Sequence, residues 1–512
     1  MCKNNIMPRR GVEQVFAKKR SDQETTEVEK GIDNSNWTVI SQSWLPKSPR
    51  TADRSPTFSN LKCRVFSDET GAFTEVPAIL TPDGWLLPQI EFCLAHSHDR
   101  SPAWMLKVNR SIRLFLTYVV EHPNETDSYL IFQNFAQRLY TGTYNRETGL
   151  DPSWLCWRPM SAAEARRVIN HLSDWFDWLS KTRPSLAKVN PRYVGNAYDR
   201  MADEASYQFR RNRAFLGHIW KPHHEPAQSH LVRARRKPKR ENENPPAFPE
   251  ERFFDLLEEG FLVGARPNYR DMLITLLLNG AGFRVSEPFH LYFEDVRRDP
   301  SNPKQARVHI HHPEFGAAPE DPAWLDERGK RQTGNRRAYL AEKYGLPPRN
   351  LLLDAHSAGW KGGTHEGSGQ EWYKRAYWFA PAYGELFLTL WYRYCEQVAR
   401  TGPRSHPYAW INLAQRTGDM YCRMQFWRAH SRACERIGLV VGKELGTTPH
   451  GHRHAFARRL VRAGFDREMI RKFLGHISPD SQNVYTLATT KELLDALNAG
   501  AERLIQRYRR DL

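Results

Sequence analysis

Residues 269–282 read YRDMLITLLLNGAG. On a helix this stretch is apolar nearly all round, and such a helix is stable only when other elements cover every side of it. It predicts a buried central helix stopped by Gly280 and Gly282. A helix of that kind needs a sizeable domain around it. The chain has 512 residues, and domains usually run about 100–200 residues, so two or three are expected. The run Met272–Leu278 is far too short for a membrane span, which needs ~20 residues, and no membrane partner is expected.

The texture around this helix divides the chain. Residues 1–60 are polar, charged and poor in apolar periodicity, which predicts a flexible N-terminal arm. Over 61–222 a small β-element is expected first, because "ETG" and "PDG" turns separate apolar stretches. Helical patterns follow. In "WMLKVNRSIRLFLTYVVEH" the apolar residues recur at three- and four-residue steps. Ser161 with Glu164 marks the N-terminus of an amphipathic helix. A proline-flanked basic linker is expected over 223–246: from Lys221 to Arg240 there are seven Lys/Arg against one Glu. It reads equally as a solvated spacer or as a strap along a phosphate backbone. The last domain, 247–512, opens with "PEERFFDLLEEGFLVG", an expected amphipathic helix, and continues into the buried one. Strand-like "ARVHIHH" and "YWFAP" come next, separated by a long insertion, and the remainder reads as helical. The fold class is therefore mainly α with small β-elements.

Charge narrows the partners. Lys and Arg total 75 against 58 Asp and Glu, a net +17, and an excess of that size suits a polyanion such as nucleic acid. The cysteines number seven, are scattered and contain no CxxC pair, which fits a reducing cytoplasm and argues against a Cys-based zinc site or a disulfide frame.

The densest chemistry lies at 450–485, HGHRHAFARRLVRAGFDREMIRKFLGHISPDSQNVY. Pro449 suits the first turn of a helix that Gly464 ends. On it His450, Arg453 and His454 share a face. His450, His452 and His454 alternate around that helix, which argues against a metal site. Asp466 caps a second helix stopped by Gly475, and His476 follows at that break. Ser478-Pro479 opens a third helix, which carries Tyr485. Short helices with tight Gly turns thus bring His450, Arg453, His476 and Tyr485 together. A phenol is a weak nucleophile, with a pKa of about 10. Beside a base and with cations on the phosphoryl oxygens, it can attack phosphorus. His452 and His454 read equally well as structural.

This spacing resembles the tyrosine recombinase (phage integrase) family, whose second box runs H-x-x-R-H, then L-G-H, then a Tyr nine residues on. His450, Arg453, His454, Leu474-Gly475-His476 and Tyr485 fill those slots. The family's first box, G-x-R-x-S-E followed by D-[IV], is matched by Gly282, Arg284, Ser286, Glu287 and Asp295-Val296. The family also carries a lysine on a β-hairpin between the boxes. Lys361 in "GWKGG" is the favoured match and Lys330 in "ERGKRQTG" the alternative. His452 stands where a leucine is common. The resemblance covers about residues 250–490. "LFLTYVVEHP" and "GWKGG" also look like the gamma-mobile-trio subgroup, recombinases of mobile genomic islands.

The resemblance implies a helical DNA core-binding domain followed by a mixed α/β catalytic domain. It implies a site-specific recombinase that cuts and rejoins double-stranded DNA through a 3′-phosphotyrosyl link and needs no metal, cofactor or ATP. In that reading Tyr485 is the nucleophile and Arg284 and Arg453 hold the non-bridging oxygens. Lys361 protonates the leaving 5′-oxygen, His450 moves the Tyr485 proton, His476 hydrogen-bonds the phosphate and Glu287 orients Arg284 or a neighbouring histidine. A homotetramer on two duplexes, accessory proteins of a mobile element and a location at the bacterial nucleoid go with it. A type IB topoisomerase-like enzyme and a catalytically silent DNA-binding protein are the alternatives.

Overall fold

The computed structural model describes residues 58–66 and 73–475, except 146, 185–188, 195–196, 214–227, 236–244, 265, 364 and 368–370. The expected N-terminal arm, most of the basic linker, His476, Tyr485 and the C-terminal tail lie outside the described residues. The chain forms two compact units, Met1–Pro238 and Lys239–Leu512. Both are mainly helical with small antiparallel sheets.

The first unit opens with the sheet β1 (Ser59–Phe66), β2 (Phe73–Thr81) and β3 (Gly84–Trp85), paired in that order. The "PDG" turn forms between β2 and β3, where Thr81 Oγ1 donates to Gly84 O at 2.9 Å. Helix α1 (Leu87–Ala95) is tied to β2 by Gln89, which donates to Pro77 O and accepts from Ile79 N. Helices α2 (Pro102–Glu121), α3 (Ser128–Thr141) and α4 (Ala162–Thr182) follow. Each starts at a residue whose side chain accepts an otherwise orphaned backbone N–H: Ser101, Asp127 and Ser161. Their inner faces meet in an aromatic cluster of Phe115, Phe132, Phe135 and Phe176. Strand β4 (Arg192–Val194) precedes helix α5 (Ala197–Arg213). It pairs with β5 (Gln228–His230), which lies inside the stretch expected to be linker. Asn190 donates to Val232 O and accepts from Val232 N, stitching this part of the basic stretch to the unit.

In the second unit the expected opening helix is present from Glu250 to Gly260, but it is irregular. A 3-10 turn (Glu250–Arg252), one α-turn (Phe253–Asp255) and a π-turn (Leu256–Gly260) follow one another. The cause is packing: a Cβ on Gly260 would sit 2.9 Å from Ala433 O, so the segment widens where another helix backbone presses on it. The short hairpin β6 (Leu262–Val263) and β7 (Arg266–Pro267) leads into α6 (Tyr269–Gly280). As its composition demands, α6 is buried from Arg270 to Gly280. Helices α8 (Pro381–Ala399), α9 (Arg423–Arg436) and α10 (Pro449–Arg462) pack on it, and α11 (Arg467–Leu474) packs on α10.

The second sheet orders as β10-β9-β8, from β8 (Val296–Arg298), β9 (Ala306–His311) and β10 (Tyr373–Arg375). The last strand thus lies just before "YWFAP" and not on it. The insertion between β9 and β10, which contains α7 (Arg336–Tyr344), has its own cluster of Trp324, Tyr339 and Leu340 against Tyr292 and Tyr408. Two fully buried arginines anchor it. Arg336 pairs with Asp295, and Arg349 donates to the carbonyls of His356, Phe289 and Tyr421. Among the described residues no helix is long and apolar enough to cross a membrane.

Candidate active site

Gly282 turns the chain out of α6 at φ +70°. Two residues on, Arg284 meets Glu287 at the start of a 3-10 turn, Glu287–His290, in which Pro288 takes an early position where it needs no donor. Glu287 Oε2 accepts from Arg284 N at 2.8 Å, and Oε1 accepts from Arg284 Nη1 at 2.9 Å and Lys374 Nζ at 2.6 Å. The Glu287 side chain is 1% exposed. Burial pushes its carboxyl up, but Lys374, Arg453 and Arg284 together overcome this and hold it at about 2. It is a carboxylate at neutral pH.

Arg453 comes from α10 and is buried. Its Nη1 donates to Gly282 O and its Nη2 to Leu474 O at 2.7 Å. One guanidinium therefore ties the turn after α6 to the end of α11. The arginines of the two sequence boxes are thus neighbours: Arg284 is bonded to Glu287, and Arg453 is near enough for its charge to help keep that carboxyl ionised.

His450 lies one turn before Arg453 on α10, with its edge exposed and its ring 4.4 Å from that of His454. Partial desolvation, then Arg453, Lys361, Arg284 and Lys443, lower its pKa to about 4. It is a neutral imidazole near pH 7, able to accept a proton. Lys361 lies on an exposed loop, close enough for its charge to bear on His450. Lys330 sits in a separate turn, where its backbone N donates to Asp326. Its described bonds reach none of these residues.

His452 points the other way, into the core. Asn279 Nδ2 donates to its Nδ1 at 3.1 Å, which leaves Nε2–H to donate to His430 Nε2 at 2.7 Å. Its ring stacks on Phe248 at 4.2 Å. Burial, then His430 and Arg459, drive its pKa well down, so it stays neutral. The histidine that departs from the family pattern is thus a structural one with a partner in α9. His454 is half-buried and also held low, at about 3, by burial first and then by His450 and Arg453.

The structure brings Arg284, Glu287, Arg453, His450 and Lys361 together. His476 and Tyr485 lie outside the described residues; Gly475, the residue before His476, adjoins the cluster through Leu474. Lys374 is the member that sequence reasoning missed. It lies in the "YKR" that precedes "YWFAP", and nothing local separates it from other lysines. Among the described residues no group of three or more His, Cys, Asp or Glu is placed to hold a metal ion. A pair of guanidiniums beside a neutral imidazole suits a phosphodiester: the cations take charge on the oxygens and the imidazole takes a proton.

Gly282 is the hinge of this arrangement. A Cβ there would overlap the Phe456 ring of α10. Gly282→Ala is expected to cost about 1–2 kcal/mol for the left-handed backbone and about 1–3 kcal/mol for overpacking. Urea unfolding of the variant checks this; a change within about 0.5 kcal/mol, the range of ordinary surface substitutions, would contradict it.

Residues 390–492 match the model of the phage integrase family. Tyrosine recombinase XerA of Pyrococcus horikoshii is 24% identical over 236 residues, 46% of this chain and 56% of that protein. Tyrosine recombinase XerD of Mycobacterium tuberculosis is 34% identical over 76 residues, 15% and 23% of the two chains. The chain therefore spans about half or less of these curated relatives. Among solved structures, a XerH site-specific recombinase bound to its difH substrate aligns with a TM-score of 0.41 and 13% identity, covering 75% of this chain and 77% of that one.

Proposed function

We propose that the chain is a tyrosine recombinase of the phage integrase family, whose model its residues 390–492 match, and that it acts as a site-specific DNA recombinase. The observation that carries this is the placement of the two box arginines: Arg284 is held by the buried carboxylate Glu287, and Arg453 is tied to Gly282 O, two residues before Arg284. Two guanidiniums held at one place form a fork for the non-bridging oxygens of a phosphodiester. In this reading Tyr485 attacks the phosphorus, the bond to the 5′-oxygen breaks, and Lys361 supplies the proton to that oxygen. The products are a 3′-phosphotyrosyl link and a free 5′-hydroxyl. The neutral His450 receives the phenol proton and His476 hydrogen-bonds the phosphate. The net charge of +17 suits a duplex partner. Four protomers on two duplexes, and service to a mobile element with accessory proteins, are the finer form of the same proposal.

The test begins in cells. Full-length protein purified under denaturing conditions is expected to carry DNA joined through a 3′-phosphate, and sequencing that DNA yields the target. Absence of any linked DNA, together with no adduct on nicked duplexes of genomic sequence, would overturn the recombinase reading. With the target in hand, four-way junctions between two duplexes support recombination. Relaxation of supercoils without junctions supports the topoisomerase-like alternative.

A further inference from the structure

We infer that Lys374 is a positioning residue whose ammonium joins the carboxylate that orients Arg284 to the loop that carries Lys361. This rests on the recombinase reading of the site.

Lys374 stands in β10 opposite Ile310 of β9, so its backbone is held by the sheet. Its side chain is 7% exposed. Nζ donates to Glu287 Oε1 at 2.6 Å and lies 4.7 Å from the centre of the Trp360 ring. Trp360 is in turn met edge-on by His290, at 5.3 Å between rings. The loop from Trp360 to Gly363 thus closes over the ammonium. At its end, a Cβ on Gly363 would sit 3.2 Å from Lys374 Nζ and 2.5 Å from Gly475 O. Any side chain there would push the loop off both.

An ammonium taken out of water is costly unless it is paired. Here the pair is Glu287 on one side and an aromatic face on the other. Glu287 spends its second oxygen and part of its first on Arg284, so the three groups have one mutual arrangement. Lys361 is exposed on the loop. Lys374 is enclosed beneath it, which suits holding the site together and not delivering a proton to a leaving oxygen. Removing Lys374 leaves Glu287 still paired with Arg284, so the fold should survive the change.

The test uses the full chain and the DNA recovered above, in two forms: the natural phosphodiester and one with sulfur at the bridging 5′ position. Thiols ionise near pH ~8.5, so the sulfur departs without a donated proton. Lys374→Met is expected to slow cleavage about 10²-fold through misplacement, with DNA affinity unchanged. Lys374→Arg should recover part of that rate. Sulfur substitution should rescue Lys361→Ala and leave Lys374→Met slow. The double variant Glu287→Gln/Lys374→Met should be no slower than Glu287→Gln alone, since both act through one arrangement.

Wild-type cleavage by Lys374→Met, additive losses in the double variant, or rescue of Lys374→Met by sulfur would each overturn the role, the last by making Lys374 the acid itself. If the wild type forms no adduct, the recombinase reading falls, and a crystal structure of Lys374→Met still decides the positioning. Arg284 and the Trp360 loop displaced together would support it; both unmoved would overturn it.

Discussion

Tyr485→Phe is expected to abolish covalent DNA attachment while leaving DNA binding intact. Phenylalanine keeps the ring and its packing and removes only the oxygen that would bond to phosphorus. Without that oxygen no phosphotyrosyl link can form, so the loss should be complete and not partial. In the proposed function duplex binding rests on the chain's excess of Lys and Arg, which the substitution does not touch, so affinity and its salt dependence should stay as in the wild type. Gel-shift titration measures the binding, and denaturing gels of the target duplex measure the attachment. An adduct of undiminished yield would show that another side chain is the nucleophile, and the proposed chemistry would have to be rebuilt around it.

Arg453→Ala is expected to injure both chemistry and stability. The guanidinium is buried and donates to Gly282 O and Leu474 O. Alanine leaves those two carbonyls without these donors, at a cost of about 1–3 kcal/mol for each that water does not reach. In the proposed mechanism it also removes one of the two cations that take the phosphate's charge, and loss of one fixed donor to a developing negative charge lowers rates about 10²–10³-fold. Arg453→Lys keeps the charge but not the fork that spans two carbonyls at once. It should therefore recover more stability than rate. Urea unfolding and single-turnover cleavage, measured on the same preparations, separate the two effects. Cleavage at the wild-type rate by Arg453→Ala would remove the guanidinium pair from the mechanism.

Much of the second unit was legible in the sequence, because the signals there are local. The apolar stretch at 269–282 could only be a covered helix, and α6 is one. Pro449, Asp466 and Gly475 mark the ends of α10 and α11, with Gly475 in the left-handed region at φ +59°. Box residues Arg284 and Glu287 lie close enough in sequence for their contact to follow from one turn.

Other features were not local and were misread or missed. The helix expected over 249–264 runs from Glu250 to Gly260, but it changes from 3-10 to α to π along its length, where the backbone of α9 presses against Gly260. The strand expected at "YWFAP" falls on Tyr373–Arg375, because the pairing with His309–His311 decides it. His452 could be read either way until His430 appeared beside it from another helix.

Sequence alone determined α6, α10 and α11 with their stops, and the residue types available for phosphate chemistry, since capping, periodicity and backbone freedom act over a few residues. Only the tertiary structure decided that Lys374 shares the Glu287 carboxylate with Arg284, and that Arg453 closes over Gly282. Those contacts join positions far apart in the chain, and a charge buried in the interior takes its partner from whatever the packing brings within reach.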